Sequence, residues 1–192
     1  MAETRGSTQG SRASGDEPLA FLTSAEAAIA DAAMSRIFPS DGATPGAHEA
    51  RTIIYLDRAL AGPEIHLQIP YRASLGRLDA IATARFATGF AACTSAQQDE
   101  LIGAMAAGNL PEFGDAPSAL DFFEMLRAHT IEGLFADPIH GGNRDFVGWK
   151  LLGYHGPQPS YSHAEQQLDA VIKRDRIYTA ANYPLPATGA VK

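Results

Sequence analysis

Phe122-Phe123-Glu124-Met125-Leu126-Arg127-Ala128-His129-Thr130-Ile131-Glu132-Gly133-Leu134-Phe135-Ala136-Asp137-Pro138-Ile139-His140-Gly141-Gly142-Asn143-Arg144-Asp145-Phe146-Val147-Gly148-Trp149-Lys150 is the most informative stretch of this chain. Phe123, Leu126, Thr130, Ile131 and Leu134 recur at helical spacing. Pro117-Ser118-Ala119-Leu120-Asp121, just before them, reads as a helix start. The helix runs into Asp137-Pro138, then a glycine pair bracketed by polar side chains, then the only tryptophan. This succession describes a built surface and not a catalytic centre.

Outward from that stretch the chain reads as helices separated by glycine and proline. Thr23-Ser24-Ala25-Glu26 is a capping box, in which hydroxyl and carboxylate satisfy free backbone N–H groups. The helix behind it carries Ala30, Ala33, Met34 and Ile37 on one stripe and stops before Pro39. Thr44-Pro45 is expected to open a second helix, with Ala50, Ile53, Ile54 and Leu60 on its stripe and Gly62-Pro63 closing it. A third spans residues 71–86 with Tyr71, Leu75, Leu78 and Ala82 aligned. Thr94-Ser95-Ala96-Gln97 caps a fourth that ends at Gly108. After the helix of the quoted stretch, a short turn of helix is expected over residues 146–152, and Ser162-His163-Ala164-Glu165 should cap a last helix through Leu168, Val171 and Ile172. Ile65-His66-Leu67-Gln68-Ile69 alternates like a strand, but it is short, alone and followed by Pro70. The expected fold is all-α: a single compact domain of about six helices over residues 19–176, a disordered arm over residues 1–18, and an extended tail over residues 177–192.

Composition narrows the function. The chain has 192 residues, enough for one domain with a real core. Its formal charge of -7, with no Lys/Arg cluster to offset it, argues against a nucleic-acid partner. No apolar run approaches the ~20 residues that span a bilayer. The single cysteine, Cys93, excludes an intrachain disulfide and reads as a small buried side chain near a helix start; the other reading is an intermolecular disulfide. Residues 1–18 have little to bury, no apolar h-region and no twin arginine, so they do not read as a secretory signal.

The sequence contains no GxGxxG, no GxxxxGK[ST], no GxSxG elbow, no CxxCH and no paired ExxH. The strongest constellation runs from Asp137 through His140, Gly141, Gly142, Asn143, Arg144 and Asp145. Read as packing, it is a self-bonded loop between two helices; read as function, it is a rigid loop that docks on another protein. Trp149, Lys150 and Tyr154 add amphipathic aromatics, either core packing or interface anchors. The tail around Arg174, Arg176, Tyr178 and Tyr183 alternates charge with tyrosine and then turns Pro-rich, a composition that wraps either its own domain or a partner. A different reading makes the chain a stand-alone metal- or small-ligand-binding protein, with His129, Asp137 and His140 converging where the helix end folds back on its loop. A closed apolar pocket would favour a ligand-binding module, and a broad exposed apolar face a subunit.

At these residues the chain resembles the small subunit (subunit 3) of gluconate 2-dehydrogenase. The likeness rests on Phe21-Leu22-Thr23 with Ile37-Phe38-Pro39; on His129-Thr130-Ile131-Glu132-Gly133-Leu134-Phe135-Ala136-Asp137-Pro138; on Gly141-Gly142-Asn143-Arg144-Asp145; and on Val147-Gly148-Trp149-Lys150-Leu151-Leu152-Gly153-Tyr154. It extends from about residue 19 to 186. The resemblance implies a non-catalytic partner of a large flavoprotein of the glucose–methanol–choline type, which oxidises a sugar or sugar acid with FAD and is often joined by a cytochrome subunit. No cofactor is then expected in this chain and FAD is expected in the large subunit. The small subunit is associated with folding and export of the large one, in a periplasmic or periplasm-facing membrane-associated complex. Many members carry a twin-arginine signal; this sequence departs from that pattern, so a cytoplasmic placement stays open. The contact is expected at Asp137 to Asp145, Trp149, Lys150, Tyr154, Arg174, Arg176, Tyr178 and Tyr183.

Overall fold

Alanine lets α1 (Ser24–Ile37) sit at the centre of the fold. Ala30, Ala33 and Met34 are fully buried along its stripe, and their small size admits close neighbours. The helix touches all of α2 (Thr52–Ala61), α3 (Gln68–Phe86), α4 (Ser95–Ala106) and α5 (Ala119–Phe135). A short α6 (Val147–Leu152) packs on α5. The computed structural model describes residues 17–158, 160–172 and 176–182. Among these there is no strand, and no helix is long and apolar enough to cross a membrane. Most of the expected arm, residues 1–16, and the end of the tail, residues 183–192, lie outside the described residues, as do Arg174 and Tyr183.

The two helix starts read as capping boxes carry the reciprocal bonds that define the motif, and so does the start read at residues 117–121. Thr23 pairs with Glu26, Thr94 with Gln97 and Ser118 with Asp121. The aligned residues of α3 (Tyr71, Leu75, Leu78, Ala82) are all fully buried. In α5 the buried stripe is Phe122, Leu126, His129, Thr130 and Leu134, whereas Phe123 is half-buried and Ile131 exposed. Cys93 is buried and free beside the start of α4.

Three expectations are corrected. The second helix begins at Thr52 and not at Thr44-Pro45. Asp41 instead accepts from the backbone of Ala43 and Thr44 to make a turn. Arg51 then enters the left-handed region (φ 54°), which frees the Ala50 carbonyl to accept from Arg144 N at 3.0 Å. The alternating segment at Ile65 is a 3-10 turn, Ile65–Leu67, feeding α3; Ile65 and Ile69 are exposed, so the alternation marks no buried face. The last helix does not form. Ser162 and Glu165 make their capping bonds, but only a 3-10 turn, Ala164–Gln166, follows, and Leu168 and Val171 stand in solvent.

One buried carboxylate ties the start of the described chain to this frame. Asp57 is 2% exposed. It accepts from the backbone N–H of Ala20, Phe21 and Leu22 at 2.6, 3.0 and 2.8 Å. Arg72 stacks over the Phe21 ring at 4.4 Å.

Candidate functional site: the loop between the fifth and sixth helices

The loop is built by close approach of backbones. A Cβ on Gly142 would lie 2.1 Å from Gly133 O in α5, and one on Gly148 would lie 1.9 Å from Leu134 O. No other residue type fits at either position without moving a helix. The loop therefore lies against the last turn of α5 on one side while α6 presses on the other.

Asn143 holds this contact together. It is fully buried, with φ 50°. Its N–H donates to Gly133 O at 2.7 Å, and its Nδ2 to Ala136 O at 2.9 Å. Its Oδ1 accepts from Gly148 N at 2.9 Å and Trp149 N at 3.4 Å. One side chain thus satisfies the end of α5 and the start of α6, which has no other side-chain cap. Asp145 and Phe146 also have positive φ (54° and 60°), so three neighbouring residues sit in a region costly for non-glycine residues, held there by the surrounding bonds.

Trp149 lies inside, 4% exposed. Its Nε1 donates to Phe135 O at 2.8 Å; its ring stacks on Phe146 and meets Tyr154 edge-on, with centroids 5.8 and 5.0 Å apart. Of the residues expected at a contact, Asn143 and Trp149 are thus buried, and both side chains are spent on holding the loop. His140, Asp145, Lys150 and Tyr154 are exposed, and Arg144 is half-buried beside Asp145 at 3.7 Å.

Asp137 links the loop to the tail. Its Oδ1 accepts from Ile139 N at 3.1 Å and its Oδ2 from Ala180 N at 2.7 Å. Tyr178 N donates to His155 O at 3.3 Å, and Thr179 is buried. Residues 176–182 thus lie on their own domain, and Arg176 is exposed there.

Two open grooves flank the loop. One of about 540 Å³ is lined by Tyr55, Arg58, Pro63, Asp137, Ile139 and His140. The other, about 320 Å³, takes in Arg51, Arg58, Gly141, Gly142, Arg144 and Asp145. Arg58 bridges them, donating to Ile139 O at 3.0 Å and pairing with Glu17. Tyr55 bonds Glu132 at 3.0 Å; burial first, then this bond and the carboxylate charge, push its phenol up to about 12.

His129, Asp137 and His140 do not converge. His129 is buried with Nδ1 2.8 Å from the Tyr71 hydroxyl and 2.9 Å from Met125 O, whereas His140 is on the surface. Burial, then the charges of Glu132 and Glu64, raise the Tyr71 phenol above its usual range. No group of three or more His, Cys, Asp or Glu among the described residues could hold a metal ion. Sequence reading missed Asp57, Tyr55 and Arg58. Asp57 carried a signal, as an acid on the Ile53–Ile54–Leu60 stripe, where only a specific set of donors makes burial tolerable.

These features define a small all-α domain organised about one strained, internally bonded loop. The chain matches the family described as gluconate 2-dehydrogenase subunit 3 over residues 24–156, and it belongs to that family. No curated protein and no solved structure matches it.

Proposed function

We propose that this chain is the non-catalytic small subunit of an FAD-dependent dehydrogenase acting on a sugar or sugar acid. It binds and stabilises a large flavoprotein subunit of the glucose–methanol–choline type, assists its maturation, and faces the periplasm within the complex. The flavin, and where present a cytochrome, belong to other chains. The observation that carries this reading is the family match, which covers α1 to α6 and the whole loop.

The geometry supports a surface role. The loop is rigid, its polar groups are mostly satisfied internally, and its exposed side chains (His140, Asp145, Lys150, Tyr154) surround it. The grooves beside it are open troughs, better suited to receiving a protein surface than to enclosing a small molecule. A partner that binds only the folded large subunit stabilises it by mass action, and an obligate contact buries about 2,000 Å² or more.

Co-expression with the FAD-bearing large chain tests this. The two should elute together with the flavin absorbance, and the large chain expressed alone should load less FAD and melt lower. A large chain that folds, binds FAD and melts identically without this subunit, with no co-elution, refutes the proposal.

A further inference from the structure

The capped segment that forms no helix has every local feature of one. Tyr161, Ala164, Leu168, Val171 and Ile172 fall on one face about 100° wide when the segment is drawn as a helix, with Glu165, Gln166, Asp169 and Ala170 off that face. The cap is already made: Ser162 N and Oγ both lie 2.8 Å from Glu165 Oε2. The helix nevertheless stops at Gln167, where ψ turns to 150°. Leu168 is 101% exposed and Val171 80%.

Both facts have one physical cause. A helix of about a dozen residues is marginal in water unless its apolar face is buried, and the described part of the chain leaves Leu168 and Val171 of this one uncovered. The segment is also held in place at both sides. Before it, Tyr154 packs on Trp149; after it, Tyr178 bonds His155 and Ala180 bonds Asp137. It is displayed on the surface as a tethered loop. A groove of about 240 Å³ joins Tyr154 to Tyr161 and Ile172, and Leu151 and Leu152 of α6 are exposed just before it.

We infer that residues 161–172 are a docking element that completes its helix on the large flavoprotein subunit, burying Leu168 and Val171 in an apolar groove of that chain. The inference rests on the subunit reading above. Area says that the element does not act alone, and the family says what it acts with. Five apolar positions are far fewer than the roughly 20–30 residues per side of a stable interface. The element therefore cannot hold a second copy of this chain by itself. It works as one anchor for a partner gripped elsewhere as well, which is the situation of a family whose members are dehydrogenase subunits. Helix-in-groove anchoring at i, i+4, i+7 and i+8 is a common mode of this kind. The ordering cost is met on binding.

The test uses the full chain and the purified FAD-bearing large chain. Amide exchange should be fast over residues 166–172 in the free subunit and slow in the complex. Leu168→Ala should weaken the complex about tenfold to a hundredfold. Asp169→Pro, which breaks a helix, should weaken it on the order of a hundredfold. Both sites are exposed, so the free variants should melt like the parent. A complex that forms while residues 166–172 stay unprotected, or that tolerates Asp169→Pro, overturns the docking element and leaves the subunit reading standing. Protection that rises with the concentration of the free subunit alone overturns it in favour of a second copy. A wild-type subunit that does not bind the large chain overturns both.

Discussion

Asn143→Ala removes the bonds that fasten α5 to α6. In the folded chain the Ala136 carbonyl and the Gly148 N–H each have an Asn143 side-chain partner at 2.9 Å, and the Trp149 N–H a weaker one at 3.4 Å. The site is buried, so water does not replace them freely. Leaving the two stronger groups unpaired costs about 1–3 kcal/mol each. Alanine at φ 50° adds about 1 kcal/mol that asparagine largely avoids. The sum is about 3–7 kcal/mol, a large share of the roughly 5–15 kcal/mol that holds a domain together. At about 2–4 °C per kcal/mol for a chain of this size, Tm should fall by on the order of 10 °C or more. Urea unfolding can be followed by far-UV circular dichroism and by fluorescence of Trp149, the only tryptophan, which reports from within the site. Asn143→Gly separates the terms: it relieves the backbone cost and should recover about 1 kcal/mol relative to alanine. An Asn143→Ala variant within about 0.5 kcal/mol of the parent, the range of ordinary surface changes, would refute this account of the loop.

Asp57→Asn should loosen the start of the described chain, because an amide offers one acceptor oxygen where the carboxylate serves three N–H donors; the cost is about 2–4 kcal/mol, seen as lower Tm and faster amide exchange at residues 20–22, and unchanged exchange there would count against the clamp. The Tyr55 phenol should titrate at about 12 in the folded chain, measured as the ultraviolet difference between the parent and Tyr55→Phe. The folded form holds that proton more tightly than the unfolded one, so the contribution is complete below the ordinary value of 10.0 and is lost as pH rises from there through about 12. A native Tyr55 titrating near 10 would refute its partial burial against Glu132 and the bond between them.

Much of the fold was legible because its signals are local. A capping box is settled by residues three apart, and Thr23 and Thr94 each start a helix where their spacing says. The stripe of α3 was legible because a fixed period maps to one buried face. The misreadings arise where a distant group decides. α2 starts late because Arg144, far along the chain, takes the Ala50 carbonyl. Residues 162–172 have the right cap and the right stripe, yet no helix, because what would bury the stripe is not in the described part of the chain.

The loop shows how a composition signal and a contact surface can part company. Gly142, Asn143, Gly148 and Trp149 make the stretch distinctive in sequence, and an aromatic beside arginine and glycine resembles an interface hot spot. In the fold these residues face inward: the glycines admit carbonyls, Asn143 bonds two helix ends, and Trp149 closes over Phe135 O. The motif prescribes a backbone geometry, and such a prescription tolerates few residue types. Scattered exposed side chains such as Leu151 and Leu152 follow no such prescription, and nothing local in the sequence marks them. The residues most visible in the sequence are therefore those that prescribe the backbone, and the strained loop fixes where α6, and the extension that follows it, are held.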